Sequence, residues 1–415
     1  MRSYWSYLIL AGIFFISLPA HAVLFYSDGD PSYNTTEPTG VLTNSGWQFQ
    51  GHFLQYLGTP VSAHHFITAQ HFGGSVGNTF TFDGVTYTTI AKIEDAGSDL
   101  ALYEVDGTFP RYAPLYEASD EAGKDFVVFG RGTQRGNPVN ANGALKGWEW
   151  GPVDGVMRWG ENRVDNTTIV NGYPVLEADF DSSGGTGANE CMVSDKDSGG
   201  AAFIEDGGVW KLAGINWAIS PATFSFSSTG SSPFNAALFD YSFRVNDSEK
   251  IYYNNGNPPW PYLSGNGNDP VRFFSSRISS RYTWIKNNIP EFDQDVDGLP
   301  DWWETQYVGD PTSMDPDDDS LDGDGFTNYQ EWIADTVPDD GSSYLQVSAY
   351  TNAAEIAFES STNRKYQIEF RTDLADTNEA WQVEVAWFEP ASAQTVVPVS
   401  TSTSNRVYRV RVKLR

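Results

Sequence analysis

The chain has 415 residues, a formal net charge of −29 and a single cysteine, Cys191. The negative charge argues against nucleic-acid binding, because the nucleic-acid backbone is itself anionic. A lone cysteine excludes an intramolecular disulfide, so packed cores, with or without a metal ion, must stabilise the fold. The length suggests two or three domains. The many glycines and aromatic residues, without long helical periodicity, favour a mainly β chain.

The N-terminus has the pattern of a secretory signal peptide. Arg2 precedes an uncharged run from Leu8 to Leu18, and Ala20-His21-Ala22 is a small-residue cleavage site. The run is shorter than the ~20 apolar residues that a membrane span needs. We therefore expect cleavage after Ala22 and an exported protein, periplasmic or secreted, that begins at Val23. No transmembrane segment is expected after cleavage, because no later segment is long and apolar enough.

The stretch "SDKDSGGAAF", residues 194–203, places Ser198 between an acid and two glycines. Asp-Ser-Gly-Gly is also ordinary turn chemistry. Ser198 is therefore a candidate nucleophile only if the chain also supplies a base and an orienting acid.

Three of the four histidines that remain after removal of the signal peptide lie in "VSAHHFITAQHF", residues 61–72. A strand could end at a catalytic His65 or at a catalytic His71. We favour His71, which stands just before a flexible Phe-Gly-Gly. The segment "GSDLALYEV", residues 97–105, alternates like a half-buried strand and has Asp99 at its mouth. A partly buried acid needs a hydrogen bond, which an imidazole N–H supplies. The alternative is a surface loop acid, and Asp95 and Glu94 nearby are candidates for that.

The order His71, Asp99, Ser198 resembles that of the chymotrypsin/trypsin-like serine proteases. "WKLAGINWA", residues 210–218, is similar to the strand that follows the nucleophile. "SSRISSRYTWIKNNI", residues 275–289, is similar to the closing helix. The resemblance covers about residues 45–290. It implies two Greek-key β-barrels and an endopeptidase that cleaves peptides or proteins through an acyl-enzyme, without a cofactor in catalysis.

The resemblance also assigns supporting residues. The backbone N–H groups of Lys196 and Ser198 would form the oxyanion hole, and Asn216, Trp217 and Ala218 would line the substrate cleft. Lys196 departs from the glycine that the family has there. This departure leaves open a second interpretation, a catalytically inactive homologue that binds peptides or glycans.

Maturation also departs from the family pattern. Asp197 resembles the family acid that receives a new N-terminus, and Val23 is one candidate partner. No Lys or Arg occurs from Val23 to Ala91, which excludes tryptic activation upstream of His71.

An acidic block at residues 291–340 holds 17 of the 54 Asp and Glu and no Lys or Arg. "DQDVDGLPDWWE", residues 293–304, matches a calcium loop of the EF-hand type. Its predicted ligands are Asp293, Asp295, Asp297, the Leu299 carbonyl, Asp301 and Glu304. "SLDGDGFTNYQE", residues 320–331, is a second copy. Its predicted ligands are Ser320, Asp322, Asp324, the Phe326 carbonyl, Asn328 and Glu331. Ser320 stands where an Asp is expected, so this site should be weaker unless Asp318 or Asp319 substitutes.

The two loops resemble the thrombospondin type 3-like or dockerin-like calcium repeats of secreted bacterial proteins. Trp302, Trp303, Tyr329 and Trp332 are expected to pack the pair into a module. The tail, residues 343–415, alternates as strands and predicts a small β-sandwich. The predicted organisation is a signal peptide (1–22), a trypsin-like domain (23–290), a calcium-binding segment (291–342) and an accessory β-domain (343–415). The oligomeric state is not indicated.

Overall fold

The structure is a computed structural model that describes residues 23–182, 185–350, 354–373, 375, 378–400 and 406–414. The predicted signal peptide lies outside the described residues. Within the described part of the chain, the helices are too short or too polar to cross a bilayer. The chain is mainly β, as its composition predicts.

Residues 51–106 form a closed barrel. Its strands, after β1 (Leu24–Phe25), are β2 (Gly51–Phe53), β3 (Tyr56–Pro60), β4 (His65–Ala69), β5 (Thr79–Phe82), β6 (Val85–Glu94) and β7 (Leu100–Asp106). The closed order is β2-β3-β4-β7-β6-β5. Phe53, Phe66, Phe80 and Tyr103 fill the interior. Residues 61–64 form a turn between β3 and β4, so Val61 lies outside both strands.

Residues 125–277 form two larger sheets. Their strands are β8 (Asp125–Gly130), β9 (Thr133–Ala141), β10 (Ala144–Val153), β11 (Arg158–Arg163), β12 (Asn166–Val170), β13 (Tyr173–Asp179), β14 (Cys191–Met192), β15 (Ala201–Asp206), β16 (Val209–Ser220), β17 (Thr223–Ser225), β18 (Phe234–Leu238), β19 (Ser242–Phe243), β20 (Tyr252–Tyr253), β21 (Leu263–Ser264) and β22 (Arg272–Arg277). The order β11-β8-β15-β16-β22-β13-β12 makes a seven-stranded sheet, and β20-β17-β18-β10-β9 a five-stranded one. Strand β1 pairs with β14, and β19 with β21.

The closing helix is shorter than the sequence predicts. Residues 272–277 form strand β22, Ser279–Arg281 form a 3-10 turn, and α1 spans only Tyr282–Asn287. Two further 3-10 turns are Gly40–Leu42 and Trp47–Phe49. The serines and arginines of this segment pair with β16 and β13 before the helix begins, so sheet pairing overrides local helical preference. Ile285 and Ile289 are buried in the core, as expected.

The C-terminal part has two short helices and six strands. They are α2 (Asp301–Tyr307), α3 (Asn328–Ala334), β23 (Val347–Tyr350), β24 (Glu355–Glu359), β25 (Arg364–Arg371), β26 (Gln382–Phe388), β27 (Gln394–Pro398) and β28 (Val407–Leu414). The strands make two three-stranded sheets, β23-β24-β27 and β26-β25-β28. Ile356, Phe358, Tyr366 and Ile368 belong to one buried cluster between them.

Candidate active site

His71, Asp99 and Ser198 form one hydrogen-bonded row. His71 Nδ1 lies 2.6 Å from Asp99 Oδ2, and His71 Nε2 lies 2.9 Å from Ser198 Oγ. Because a carboxylate only accepts, Nδ1 carries the proton and Nε2 is left to accept from the serine hydroxyl. The His71 side chain is 39% exposed whereas that of Asp99 is 6% exposed. A substrate can therefore reach the imidazole, while the acid behind it is shielded from water.

Strand register brings the base and the acid together. His71 stands two residues after β4, and Asp99 stands one residue before β7. These strands pair antiparallel with Ala69 opposite Leu100, so the two ends meet. The His71 N–H donates to Asp99 Oδ1 at 2.9 Å, which fixes the carboxylate on a second side. Ser198 lies in the turn between β14 and β15, on the opposite wall of the cleft.

Asp95 is not the surface acid that its loop position suggests. Its side chain is 3% exposed and makes two 2.5 Å hydrogen bonds with the Arg281 guanidinium. Burial opposes ionisation, but Arg281, the Ser98 hydroxyl and the Gly97 N–H together hold the pKa of Asp95 below its ordinary value. This pair connects the turn that carries Asp99 to the 3-10 turn before α1.

His65, the alternative base, lies away from Ser198. It is buried, and its Nδ1 lies 2.8 Å from Glu291 Oε1 and 3.1 Å from Ser62 Oγ. The pKa of Glu291 is lowered to about 2, because hydrogen bonds and charge from His65 outweigh the burial that would raise it. Nothing in the linear sequence links positions 65 and 291. The structure thus gives His65 a hydrogen-bonding role between the barrel and the segment after α1.

The backbone at Lys196 adopts a left-handed conformation, with φ of +72°. A non-glycine residue there costs about 1 kcal/mol, the low end of the usual range, because φ of this size falls near the allowed left-handed basin. Among the described residues, the backbone N–H groups of Lys196 and Ser198 have no hydrogen-bond acceptor. Both donors therefore remain available beside the Ser198 hydroxyl despite the lysine side chain.

A cavity of 160 Å³ opens next to Ser198. It is lined by Asn216, Trp217 and Ala218, the three residues predicted to line the substrate cleft, together with Trp150, Val193, Ser194, Asp195 and Ile219. The Asn216 side chain does not point freely into solvent: its amide donates to the Phe129 and Asp197 carbonyls at 2.9 and 3.3 Å. Asn216 thus fixes the Ser198 turn as well as the cavity wall, and Trp217 and Ala218 provide the apolar contacts.

Asp197 is buried directly beneath Ser198. Its carboxylate accepts from the backbone N–H groups of Gly132 and Ser194, each at 2.7 Å, and from the N–H of Val23. Burial raises the pKa of Asp197 to about 7, although these hydrogen bonds lower it. No Lys, Arg or His side chain of the described chain pairs with it. Val23, the candidate partner of Asp197 in the sequence, is 1% exposed and lies against this carboxylate.

The first acidic loop gathers three of its predicted ligands. Asp293, Asp295 and Asp297 each place a carboxylate oxygen within 4.8 Å of the others. Burial, followed by the neighbouring carboxylates, raises the pKa of Asp295 to about 7 and that of Glu304 to about 8. The Oε2 atom of Glu304 is buried without a hydrogen-bond partner. Closely spaced carboxylates with an unsatisfied buried oxygen fit the oxygen-only ligand set that calcium takes.

Asp301, by contrast, is engaged elsewhere. It accepts from Lys286 Nζ at 2.5 Å and from the Gln294 N–H at 2.7 Å, so both oxygens already have donors. Asp301 opens helix α2, and that turn directs its carboxylate towards α1. Leu299 is fully buried, and its predicted role rests on its carbonyl alone.

In the second loop Asp319, one residue before Ser320, takes the ligand position predicted for Ser320. Asp319, Asp322 and Asp324 bring carboxylate oxygens within 4.8 Å of one another, whereas the Ser320 hydroxyl turns to Asp318. Several oxygens there are buried and lack partners: Asp319 Oδ1, Asp322 Oδ2, Asp324 Oδ2 and Asn328 Oδ1. Burial, then Asp322 and Asp324, raises the pKa of Glu331 to about 7. The fit to calcium is therefore as good as in the first loop, with Asp319 replacing Ser320. The Phe326 N–H donates to Asp324 Oδ1 at 2.9 Å, and the predicted ligand atom of Phe326 is its carbonyl oxygen.

The helices α2 and α3 contact each other through their tryptophan rings. Trp332 lies 5.6 Å from Trp302 and 5.9 Å from Trp303 between ring centroids; Trp303 and Trp332 are buried, and Trp302 and Tyr329 are 49% and 44% exposed. The first loop also contacts the segment that follows the barrel, because the Tyr112 hydroxyl donates to Asp293 Oδ2. The loop is thus attached to the barrel side as well as to its own helices.

No protein-family model matches the sequence, and no curated protein matches it. Among solved structures, the chain is similar to HBP at atomic resolution, with 15% identity over 59% of this chain and 92% of that chain, and a TM-score of 0.34. It is similar to mouse neuropsin, a serine protease expressed in the limbic system of the brain. The identity is 12% over 59% of this chain and 95% of that chain, with a TM-score of 0.33. It is also similar to a mutant of human heparin-binding protein, with 15% identity over 60% of this chain and 95% of that chain, and a TM-score of 0.34.

Proposed function

We propose that this chain is an exported serine endopeptidase that hydrolyses peptide bonds through an acyl-enzyme on Ser198. The observation that carries the proposal is the row of two hydrogen bonds that joins Asp99, His71 and Ser198, at 2.6 and 2.9 Å. A lone Gly/Ser turn would not need a histidine and a buried acid in line. Covalent labelling of Ser198 by a fluorophosphonate, with and without His71, is the experiment that tests it.

Each residue has a defined task in this reaction. His71 Nε2 takes the proton from Ser198 Oγ as the oxygen attacks the carbonyl, and returns it to the leaving amine. Asp99 holds Nδ1 protonated and stabilises the imidazolium that forms. The N–H groups of Lys196 and Ser198 face the developing oxyanion, where one such donor is worth ~3–4 kcal/mol. Water then repeats the attack on the acyl-enzyme, with His71 as base.

The alternative is an inactive homologue that binds peptides or glycans, and the left-handed Lys196 is the one observation in its favour. The hydrogen-bonded row and the two unpaired N–H donors favour the enzyme, because a binding module requires neither. Folded protein that reacts with no fluorophosphonate at Ser198 would decide for the binding module.

We further propose that calcium binds the two acidic loops and stiffens the segment between the trypsin-like region and the tail. In the first loop Asp293, Asp295, Asp297 and Glu304 would hold the ion with the Leu299 carbonyl. In the second, the ligands would be Asp319, Asp322, Asp324, Asn328 and Glu331, with the Phe326 carbonyl. The metal offsets like charges that otherwise repel, and supplies no step of the peptidase reaction.

Removal of the signal peptide is expected to raise activity through Asp197. Cleavage after Ala22 would convert the Val23 N–H into an ammonium group against this buried carboxylate, and charge-assisted hydrogen bonds are about twice as strong as neutral ones. Protein that begins at Val23 should therefore exceed protein with a Gly-Ser extension by about tenfold or more in kcat/KM, which corresponds to ~1.4 kcal/mol. Asp197→Asn in both backgrounds is the control. If the extension costs as much in Asp197→Asn as in wild type, the two groups are not coupled.

The Lys196→Gly variant is expected to keep its oxyanion hole. Since φ is already left-handed and the N–H is unpaired, glycine should adopt the same backbone and relieve only the ~1 kcal/mol strain of a side chain there. On a small ester substrate, kcat should remain within about fivefold of wild type, the factor that ~1 kcal/mol represents. Steady-state kinetics with the ester measures this. A much larger fall in kcat at constant KM would mean that the ammonium group itself acts on the transition state.

A further inference from the structure

A row of side chains extends from the candidate base to Lys196. The Lys196 ammonium lies 3.2 Å from the Tyr56 hydroxyl and 5.3 Å from the centre of its ring. The Tyr56 ring stacks on Phe72, with centroids 3.9 Å apart and planes 10° from parallel. Phe72 in turn meets the His71 ring edge-on at 5.8 Å. An ammonium group, two stacked rings and the imidazole are therefore contiguous.

This row is separate from the 160 Å³ cavity beside Ser198. The cavity is lined by Trp150 of β10, by residues 216–219 of β16 and by Val193, Ser194, Asp195 and Ser198, and includes none of Tyr56, Phe72, His71 or Lys196. In the proposed reaction His71 passes its proton to the leaving amine, so the leaving half of the substrate must pass over His71. A leaving half that passes over His71 also passes over the adjoining rings of Phe72 and Tyr56 and reaches Lys196, and the cavity beside Ser198 is left for a side chain of the acyl half.

The Lys196 charge is free to meet a substrate. Its side chain is 29% exposed, and among the described residues the one carboxylate within ion-pair distance, Asp195, is 4.0 Å away and 54% exposed, which makes a weak pair. The Tyr56 hydrogen bond uses one of the three ammonium donors and, with Asp195, raises the pKa of Lys196 despite burial. The group therefore stays charged at neutral pH with donors to spare.

We propose that Lys196 is a specificity residue that makes the enzyme prefer an acidic side chain within the first two residues after the scissile bond. The inference rests on the proposed peptidase function and names part of its substrate class. The Tyr56 hydroxyl and ring, which Phe72 fixes by stacking, hold the Lys196 ammonium in place, so that little side-chain freedom is lost when it pairs with a carboxylate. For a partly exposed ion pair we expect a preference of about two- to fivefold in kcat/KM.

The test compares two internally quenched peptide pools that are randomised on the acyl side and identical on the leaving side, except for Glu or the isosteric Gln in the first two positions. Wild type is measured beside Lys196→Met, which loses the charge, and Lys196→Arg, which keeps it. All three have a side chain on the same left-handed backbone, so strain does not differ between them. Lys211→Met, whose lysine pairs with Asp206 near the far end of β16, controls for the general loss of a positive charge.

We expect wild type, Lys196→Arg and Lys211→Met to cleave the Glu pool about two- to fivefold faster than the Gln pool, and Lys196→Met to cleave both at the same rate. The Glu preference should also shrink as ionic strength rises. A ratio near one in wild type, or an unchanged ratio in Lys196→Met, overturns the inference. Fluorophosphonate labelling of Ser198 in the same samples separates the two claims, because unlabelled folded protein overturns the peptidase function itself.

Discussion

His71→Ala is expected to slow fluorophosphonate labelling of Ser198, and hydrolysis of any substrate, by about 10⁴-fold or more. Without the imidazole at 2.9 Å, Ser198 is an ordinary alcohol that is not deprotonated as it attacks. Asp99→Asn should lose about 10⁴-fold, because an amide facing Nδ1 favours the wrong tautomer. Mass spectrometry of the labelled peptide identifies the modified residue, and labelling rates give the size of each effect.

Two other histidines provide the controls. His52 is exposed, and His52→Ala should label at the wild-type rate. His65→Ala removes the partner of Glu291 and should lower the melting temperature, yet Ser198 in the protein that remains folded should still label. Labelling that survives in His71→Ala and disappears in His65→Ala would show that His65 is the base after all.

Removal of calcium is expected to loosen the chain between Ile289 and Ser342. Without a cation the grouped carboxylates repel one another, and the buried oxygens of Glu304 and Asp319 stay unsatisfied. Binding to the folded state alone stabilises by ~2.7 kcal/mol at a hundredfold excess over Kd. Chelation should therefore lower the melting temperature of the C-terminal half and speed proteolysis in this segment. Activity on a small ester should change little, because Ser198 and His71 lie in other elements.

Point variants make the calcium test specific. Glu304→Ala should reproduce the effect of the chelator at the first loop, and Asp319→Ala, but not Ser320→Ala, should do so at the second. Glu359→Gln changes an exposed acid on β24 and should leave the chelator effect intact. Calorimetry of the full-length protein measures binding directly. If it detects no calcium, the acidic block is a solvated linker and the proposal is wrong.

The sequence by itself determined the features that depend on local chemistry and chain order. The mainly β character follows from composition and alternation, and the structure confirms it. The choice of His71, Asp99 and Ser198 follows from short motifs in a fixed order, and each motif is a strand end or a turn whose conformation its own residues specify. The acidic loops are likewise local, since a dozen residues with a central glycine place their own carboxylates around one point.

Tertiary structure alone decided the contacts between residues far apart in the chain. Tyr56 meets Lys196 across 140 residues, His65 meets Glu291 across 226, and Asp95 meets Arg281 across 186. No local periodicity marks such pairs, because they form only when two elements with separate local reasons to exist pack together. The same packing moved Asp301 away from its loop, put Asp319 in the place of Ser320, and made the first three residues of the predicted closing helix, 275–277, part of strand β22. Local preferences are worth tenths of a kcal/mol per residue, whereas burying an apolar side chain stabilises by about 1.5–3 kcal/mol and leaving a buried charge unpaired costs several, so packing decides wherever the two compete.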